Sequence, residues 1–193
     1  METITSTLFP PFASTLFPPL FGVSKINSTK GDRLIINQRR FFTYIDPKFK
    51  IFGLDKKSKQ APETEVEIYK LIEDSTFEQF FKKFNAPLEK LFFTQDQIID
   101  FVEENIEYRK TSRIDSLFWK NHFFLTRKHK NIIFTVLIFL NNLFNKKNKK
   151  SYYEYFVINV KVNSDDLEAR VTHFDSDQVW SGYYLHCVVI PKL

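Results

Sequence analysis

A chain of 193 residues, 43% hydrophobic and 17% aromatic, holds enough apolar material for one good core and little for a second. Its single cysteine, Cys187, excludes an intrachain disulfide and any multi-thiolate zinc site within one chain, as expected of a cytoplasmic protein in a reducing setting. The net charge of +5 conceals alternating blocks: residues 23–60 carry about +7, 61–107 about −8, 108–150 about +10 and 151–193 about −3. Neighbouring blocks of opposite sign pair within a fold or between two copies, and the basic ones attract phosphate backbones. The 23 phenylalanines arrive with abundant Lys, Asn and Ile and only four Gly. An AT-rich coding sequence produces that joint bias, so neither Phe nor Lys is by itself a functional signal.

From Ser6 to Phe21 the unit STLFPP plus two apolar residues is written twice. No charge lies between Glu2 and Lys25, yet a positive n-region and an Ala-x-Ala cleavage site are both missing, and Pro10, Pro11, Pro18 and Pro19 break the apolar run. Paired prolines forbid a continuous helix and favour extended, solvated backbone. Residues 1–24 are therefore expected to be a disordered leader that arose by duplication. Its functional rival is a bivalent docking peptide for an aromatic-lined groove, built from Leu8, Phe9, Pro10, Pro11, Leu16, Phe17, Pro18 and Pro19.

Residues 25–61 read as a basic, weakly structured segment with one or two weak strands, ending in the linker-like DKKSKQAPE. A single α+β domain is expected over 62–193. In PETEVEIYKLIED, Val66, Tyr69 and Ile72 fall at helical spacing; Val66 and Ile68 alone fit a strand, and the helix is preferred. The next helix is clearer. Phe77, Phe80, Phe81 and Phe84 make one stripe, Ser75 with Glu78 has the spacing of a capping box, and Asn85 and Pro87 stop the run. A third helix starts at Thr94 with Gln97 as its capping box and Asp96 at its positive end. Ile98, Ile99, Val102 and Ile106 form its apolar face, and Arg109 and Lys110 complement its C-terminus.

The period then falls to 2. In YYEYFVINVKV, Phe156, Ile158, Val160 and Val162 share one face and Tyr155, Val157, Asn159 and Lys161 the other, the pattern of a half-buried strand. NSDD turns the chain, and Leu167, Ala169 and Val171 point inward on the return, giving an antiparallel hairpin. GYYLHCVVI supplies a last strand, and LFWKNHFFLT with IIFTVLIFL extends the count. The expected fold is α+β, with N-terminal helices packed on a C-terminal antiparallel sheet of four to five strands. Ile132 to Leu140 is too short to span a membrane, which takes roughly 20 apolar residues, so no transmembrane segment is expected.

Chemistry-bearing motifs are few. Four glycines at 22, 31, 53 and 182 supply no phosphate loop. His122, His129, His173 and His186 read as surface or edge residues, with His186 and Cys187 on opposite faces of one strand, so no metal or other cofactor is expected. Cys187 in LHCVVI reads as a buried strand residue rather than a nucleophile. Asp165 with Asp166 and Asp175 with Asp177 read as turn residues. Against this background stands the run NKKNKK. Lys146, Lys147, Lys149 and Lys150 lie beside Tyr152, Tyr153 and Tyr155, and with Tyr183 and Tyr184 they offer a polyanion patch with stacking rings.

LEKLFFTQDQIIDFVEEN, SLFWKNHFFL and YFVINVKVNSDDLEARVTHFDSDQVWSGYYLHCVVIPKL together resemble a family of small uncharacterised bacterial proteins, over roughly residues 64–193. The motifs are a TQ-x-QI helix (Thr94 to Ile98), an aromatic strand (Phe118 to Leu125), a hairpin (Phe156 to Phe174), the pair Val179 and Trp180, and a V-V-x-P strand (Val188 to Pro191). The resemblance implies one compact domain and no assigned activity, and it marks residues 126–150 as an insertion whose structure the sequence leaves open. The expected function is a non-enzymatic module that works through protein contacts, with itself or another protein. The alternative is a nucleic-acid-binding module that uses the Lys-rich loop and aromatic sheet residues.

Overall fold

A computed structural model describes residues 24–111, 121–130, 137, 151–162, 166–184 and 186–193. Among them seven strands form one sheet: β1 (Ser24–Ile26), β2 (Tyr44–Ile45), β3 (Thr64–Lys70), β4 (Asn121–His129), β5 (Tyr153–Val162), β6 (Leu167–His173) and β7 (Cys187–Pro191). The helices are α1 (Lys48–Ile51), α2 (Phe77–Lys82) and α3 (Gln95–Thr111). In space the strands run β1-β3-β7-β4-β5-β6-β2. The chain is thus of mixed α and β structure, but seven strands replace the expected four to five. The sheet is mixed rather than an antiparallel meander, because β7 runs parallel to β4 and β2 parallel to β6.

Each face of the sheet carries its own core. Phe156, Ile158, Val160 and Val162 of β5 join Leu167, Ala169 and Val171 of β6 in one cluster with Ile98, Ile99 and Val102 of α3. On the opposite face Val157 meets Phe77, Phe80 and Phe81 of α2, with Leu91, Phe123 and Val188. Burial of each such ring contributes roughly 1.5–3 kcal/mol. The hairpin between β5 and β6 has the expected pairing, from Phe156 opposite His173 to Val162 opposite Leu167. β5 is nevertheless buried on both faces rather than half-buried, since helices cover the sheet from both sides.

Three local expectations give way to the fold. Thr64–Lys70 is a strand, not a helix: β1 and β7 pair with it on either side, and Val66 and Ile68 point into one cluster while Tyr69 packs against the other. The capping box of α2 sits one residue later than expected, with Thr76 and Gln79 exchanging backbone bonds of 3.3 and 2.9 Å. Ser75 is instead engaged in a two-way backbone bridge with Trp180. The last strand begins at Cys187, not Gly182, and inserts between β3 and β4 rather than beside β6. By contrast the box at Thr94 and Gln97 forms as expected, with bonds of 3.2 and 3.0 Å, and Asn85 ends α2 in the left-handed region at φ 49°.

Residues 25–61, expected as a weakly structured segment or linker ahead of a domain at 62–193, lie within the fold. They supply both edge strands, and Ile26, Ile35, Phe42, Phe49 and Leu54 are buried in the α3 cluster. Charge adds to that burial and strand pairing. Asp96, Asp100 and Glu103 repeat at helical spacing along α3, and Arg33 reaches all three: Nε to Asp96, one terminal nitrogen to Asp100 at 3.0 Å and the other to Glu103 at 2.6 Å. Burial disfavours the guanidinium charge, but these hydrogen bonds outweigh it and hold the pKa above its ordinary value. Asp96, its side chain 2% exposed, also accepts the Gly31 N–H at 2.8 Å. Gln95 completes the seam by accepting the Ile35 N–H at 3.1 Å and donating to the Leu54 carbonyl at 2.6 Å. The repeat Leu8 to Pro19 lies outside the described residues.

Candidate functional site

The parallel pair β4 and β7 stays in register from His122 opposite Cys187 to Phe124 opposite Val189. Both strands then continue, to His129 and Pro191, without pairing. Phe92 and Phe93 enter the gap first: the Phe93 N–H donates to the Leu125 carbonyl at 2.8 Å and the Thr126 hydroxyl to the Phe93 carbonyl at 2.9 Å. Beyond them a groove of about 1670 Å³ opens. A small-molecule site usually holds about 300–1,000 Å³, so this groove suits an extended ligand.

Its charged residues come from three places: the loop after α1 (Lys56, Lys57 and Lys59), the turn before Phe92 (Glu89 and Lys90), and the end of β4 with the start of β5 (Arg127, Lys128, Lys130 and Glu154). Seven cations, Lys56, Lys57, Lys59, Lys90, Arg127, Lys128 and Lys130, thus face two carboxylates, Glu89 and Glu154. Lys128 is engaged, donating to the Phe52 carbonyl and to Glu154 at 3.2 Å. Lys56, Lys57, Lys59 and Lys90 are exposed and form no ion pair among the described residues. Like charges crowded along one groove raise the local potential and attract a polyanion.

The floor is aromatic. The guanidinium carbon of Arg127 lies 3.6 Å from the centre of the Phe92 ring and 3.8 Å from that of Tyr153. The Arg127 guanidinium is therefore held against two rings at once. His129, directly across the strands from Tyr153, rests on the same ring with centroids 4.5 Å apart. Tyr155 donates to Glu89 at 3.0 Å, and burial first, then that carboxylate, pushes its hydroxyl up from the ordinary tyrosine range. The pairing also fixes where the backbone of β4 points. Lys130 N–H bonds the Tyr152 carbonyl at 3.0 Å, so alternate residues face β5, and the N–H and C=O groups of Arg127 and His129 face the groove.

The expected site residues fare unequally. Lys146, Lys147, Lys149 and Lys150 lie outside the described residues, whereas Tyr153 lines the groove and Tyr155 reaches it only through Glu89. Tyr183 and Tyr184 are far more exposed, at 88% and 63%, in the turn before β7. The four histidines divide: His129 and His173 have the surface or edge positions expected of all four, but His122 and His186 are buried. β4 and β7 are interior strands, and the aromatic pile of Phe123 and Trp180 covers His186. His186 Nδ1 accepts from Asn121 at 3.0 Å, and burial lowers its pKa, keeping the ring neutral at pH 7. Cys187 is buried in the α3 cluster on the other face. Asp175 and Asp177 are exposed at the end of β6. Sequence reasoning missed the groove itself. Its lysines stood in DKKSKQAPE, read as a linker, and Phe92, Arg127 and Tyr153 are brought together only by the sheet.

Among the described residues no helix is long and apolar enough to cross a membrane, and no three His, Cys, Asp or Glu side chains converge on a metal position. Comparison of the chain with protein-family models, curated proteins and solved structures gives no match.

Proposed function

We propose that this protein binds nucleic acid in the groove between the diverging ends of β4 and β7. One observation carries the reading: four lysines from two separate segments, with no ion pair among the described residues, line the same groove as an arginine held against two rings. Lysines on long side chains suit the repeating phosphates of a strand, and aromatic floors suit its bases. Pairing of the opposite charge blocks within one chain, through Arg33, weakens the case for charge-driven pairing of two copies. The test is fluorescence anisotropy of a labelled oligonucleotide against the full chain at several salt concentrations. Binding that falls steeply with salt supports the reading, and no binding at 50 mM salt overturns it.

A second reading, a surface for protein contact, is favoured by Val179, Tyr183 and Tyr184, which stand 60%, 88% and 63% exposed within six residues of one another. Tyrosines in that state are typical interface anchors. Sedimentation velocity of the wild type and of Tyr183→Ser/Tyr184→Ser tests whether they join two copies. Identical monomers in both samples remove self-association.

A further inference from the structure

Resting on the nucleic-acid reading above, we infer that His129 is the stacking platform for one unpaired nucleobase, so that the groove takes single strands in preference to duplex. Phe92, Arg127, Tyr153 and His129 form one chain of contacts: Arg127 lies 3.6 and 3.8 Å from the Phe92 and Tyr153 ring centres, and the His129 ring tilts at 45° against Tyr153 with centroids 4.5 Å apart. Three of its members are partly buried, and the fourth, His129, is exposed. An exposed ring braced from below against Tyr153 loses less freedom when a base is laid on it than a ring with no such support. The bases of a duplex are already stacked and paired, so only a strand with free bases uses such a platform.

Two further features of the same place fit that occupant. The outward N–H and C=O groups of Arg127 and His129 offer donors and acceptors beside the platform, as base edges require. Two outward-facing residues are too short an edge for a peptide to add a strand, which argues against an extended acidic peptide. Across the groove, Lys56, Lys57 and Lys59 are available for the phosphates.

The experiment compares three probes on the full chain at one salt concentration: a thymidine dodecamer, a dodecamer of equal charge built of abasic sites, and inorganic polyphosphate. The wild type is expected to bind the thymidine strand about tenfold more tightly than the abasic one. His129→Ala is expected to bring the two together, and His129→Phe, which keeps a ring, to part them again. If the wild type binds both strands equally, or if His129→Ala leaves the tenfold preference intact, the platform is refuted. In that case binding of polyphosphate and of both strands still supports the basic groove. If none of the three probes binds, the platform and the groove fall together.

Discussion

The first basic block of the chain is used in two opposite ways. At one end Arg33 is surrounded by three carboxylates of α3, one of them buried, and its charge is wholly answered within the fold. At the other end Lys56, Lys57 and Lys59 line a groove and form no ion pair among the described residues. The same residue chemistry therefore serves cohesion in one place and attraction in the other, and what separates the two is the neighbour, not the composition. An arginine with a fork of donors fits the closed role, and hydrated lysines on free stems fit the open one.

That contrast is open to attack at several points. Arg33→Ala leaves Asp96 buried beside a missing partner and is expected to lower unfolding free energy by about 3 kcal/mol, read by urea denaturation. A loss below about 0.5 kcal/mol would mean the closed end holds nothing. The triple change Lys56→Gln, Lys57→Gln and Lys59→Gln is expected to act on binding instead. The salt-dependence slope for a single strand should fall by about 2, while stability stays within about 0.5 kcal/mol. Thr94→Ala removes the cap of the helix that carries the carboxylates, with an expected loss of about 1 kcal/mol and no change in the salt slope. Smallest of all, Lys25→Ala breaks an ion pair with Glu63 that is exposed on both sides, and the thermal midpoint should not move measurably.

Local grammar made part of this fold legible. Phe77, Phe80 and Phe81 of α2, the Thr94 and Gln97 box of α3 and the inward set Leu167, Ala169 and Val171 depend on residues within one or two turns of one another, and they stand as read, although α2 ends at Lys82 and leaves Phe84 beyond it. The failures are nonlocal. Val66, Tyr69 and Ile72 favour a helix by spacing and Val66 with Ile68 a strand, and it is the flanking β1 and β7 that decide for the strand. β7 pairs with partners some 65 and 120 residues earlier, an arrangement that no window along the chain contains. The candidate site follows the same rule. Its lysine run was visible as charge, but the chain of contacts among Phe92, Arg127, Tyr153 and His129 draws on three separated stretches and exists only once β4 and β5 pair.

Gly31 stands where the closed and open ends of the basic block meet. Its N–H goes to Asp96 at 2.8 Å, while its carbonyl accepts the Ser58 N–H at 2.9 Å, in the middle of the lysine loop. Its φ of 76° favours glycine, and a Cβ there would collide with the carbonyls of Ser58 and Lys59. The loop that offers cations to solvent is thereby tethered to the saturated end of the same block. Part of the conformational freedom its backbone would otherwise surrender to a ligand is already gone when the chain has folded, so the cohesion around Arg33 lowers the entropy lost at the groove.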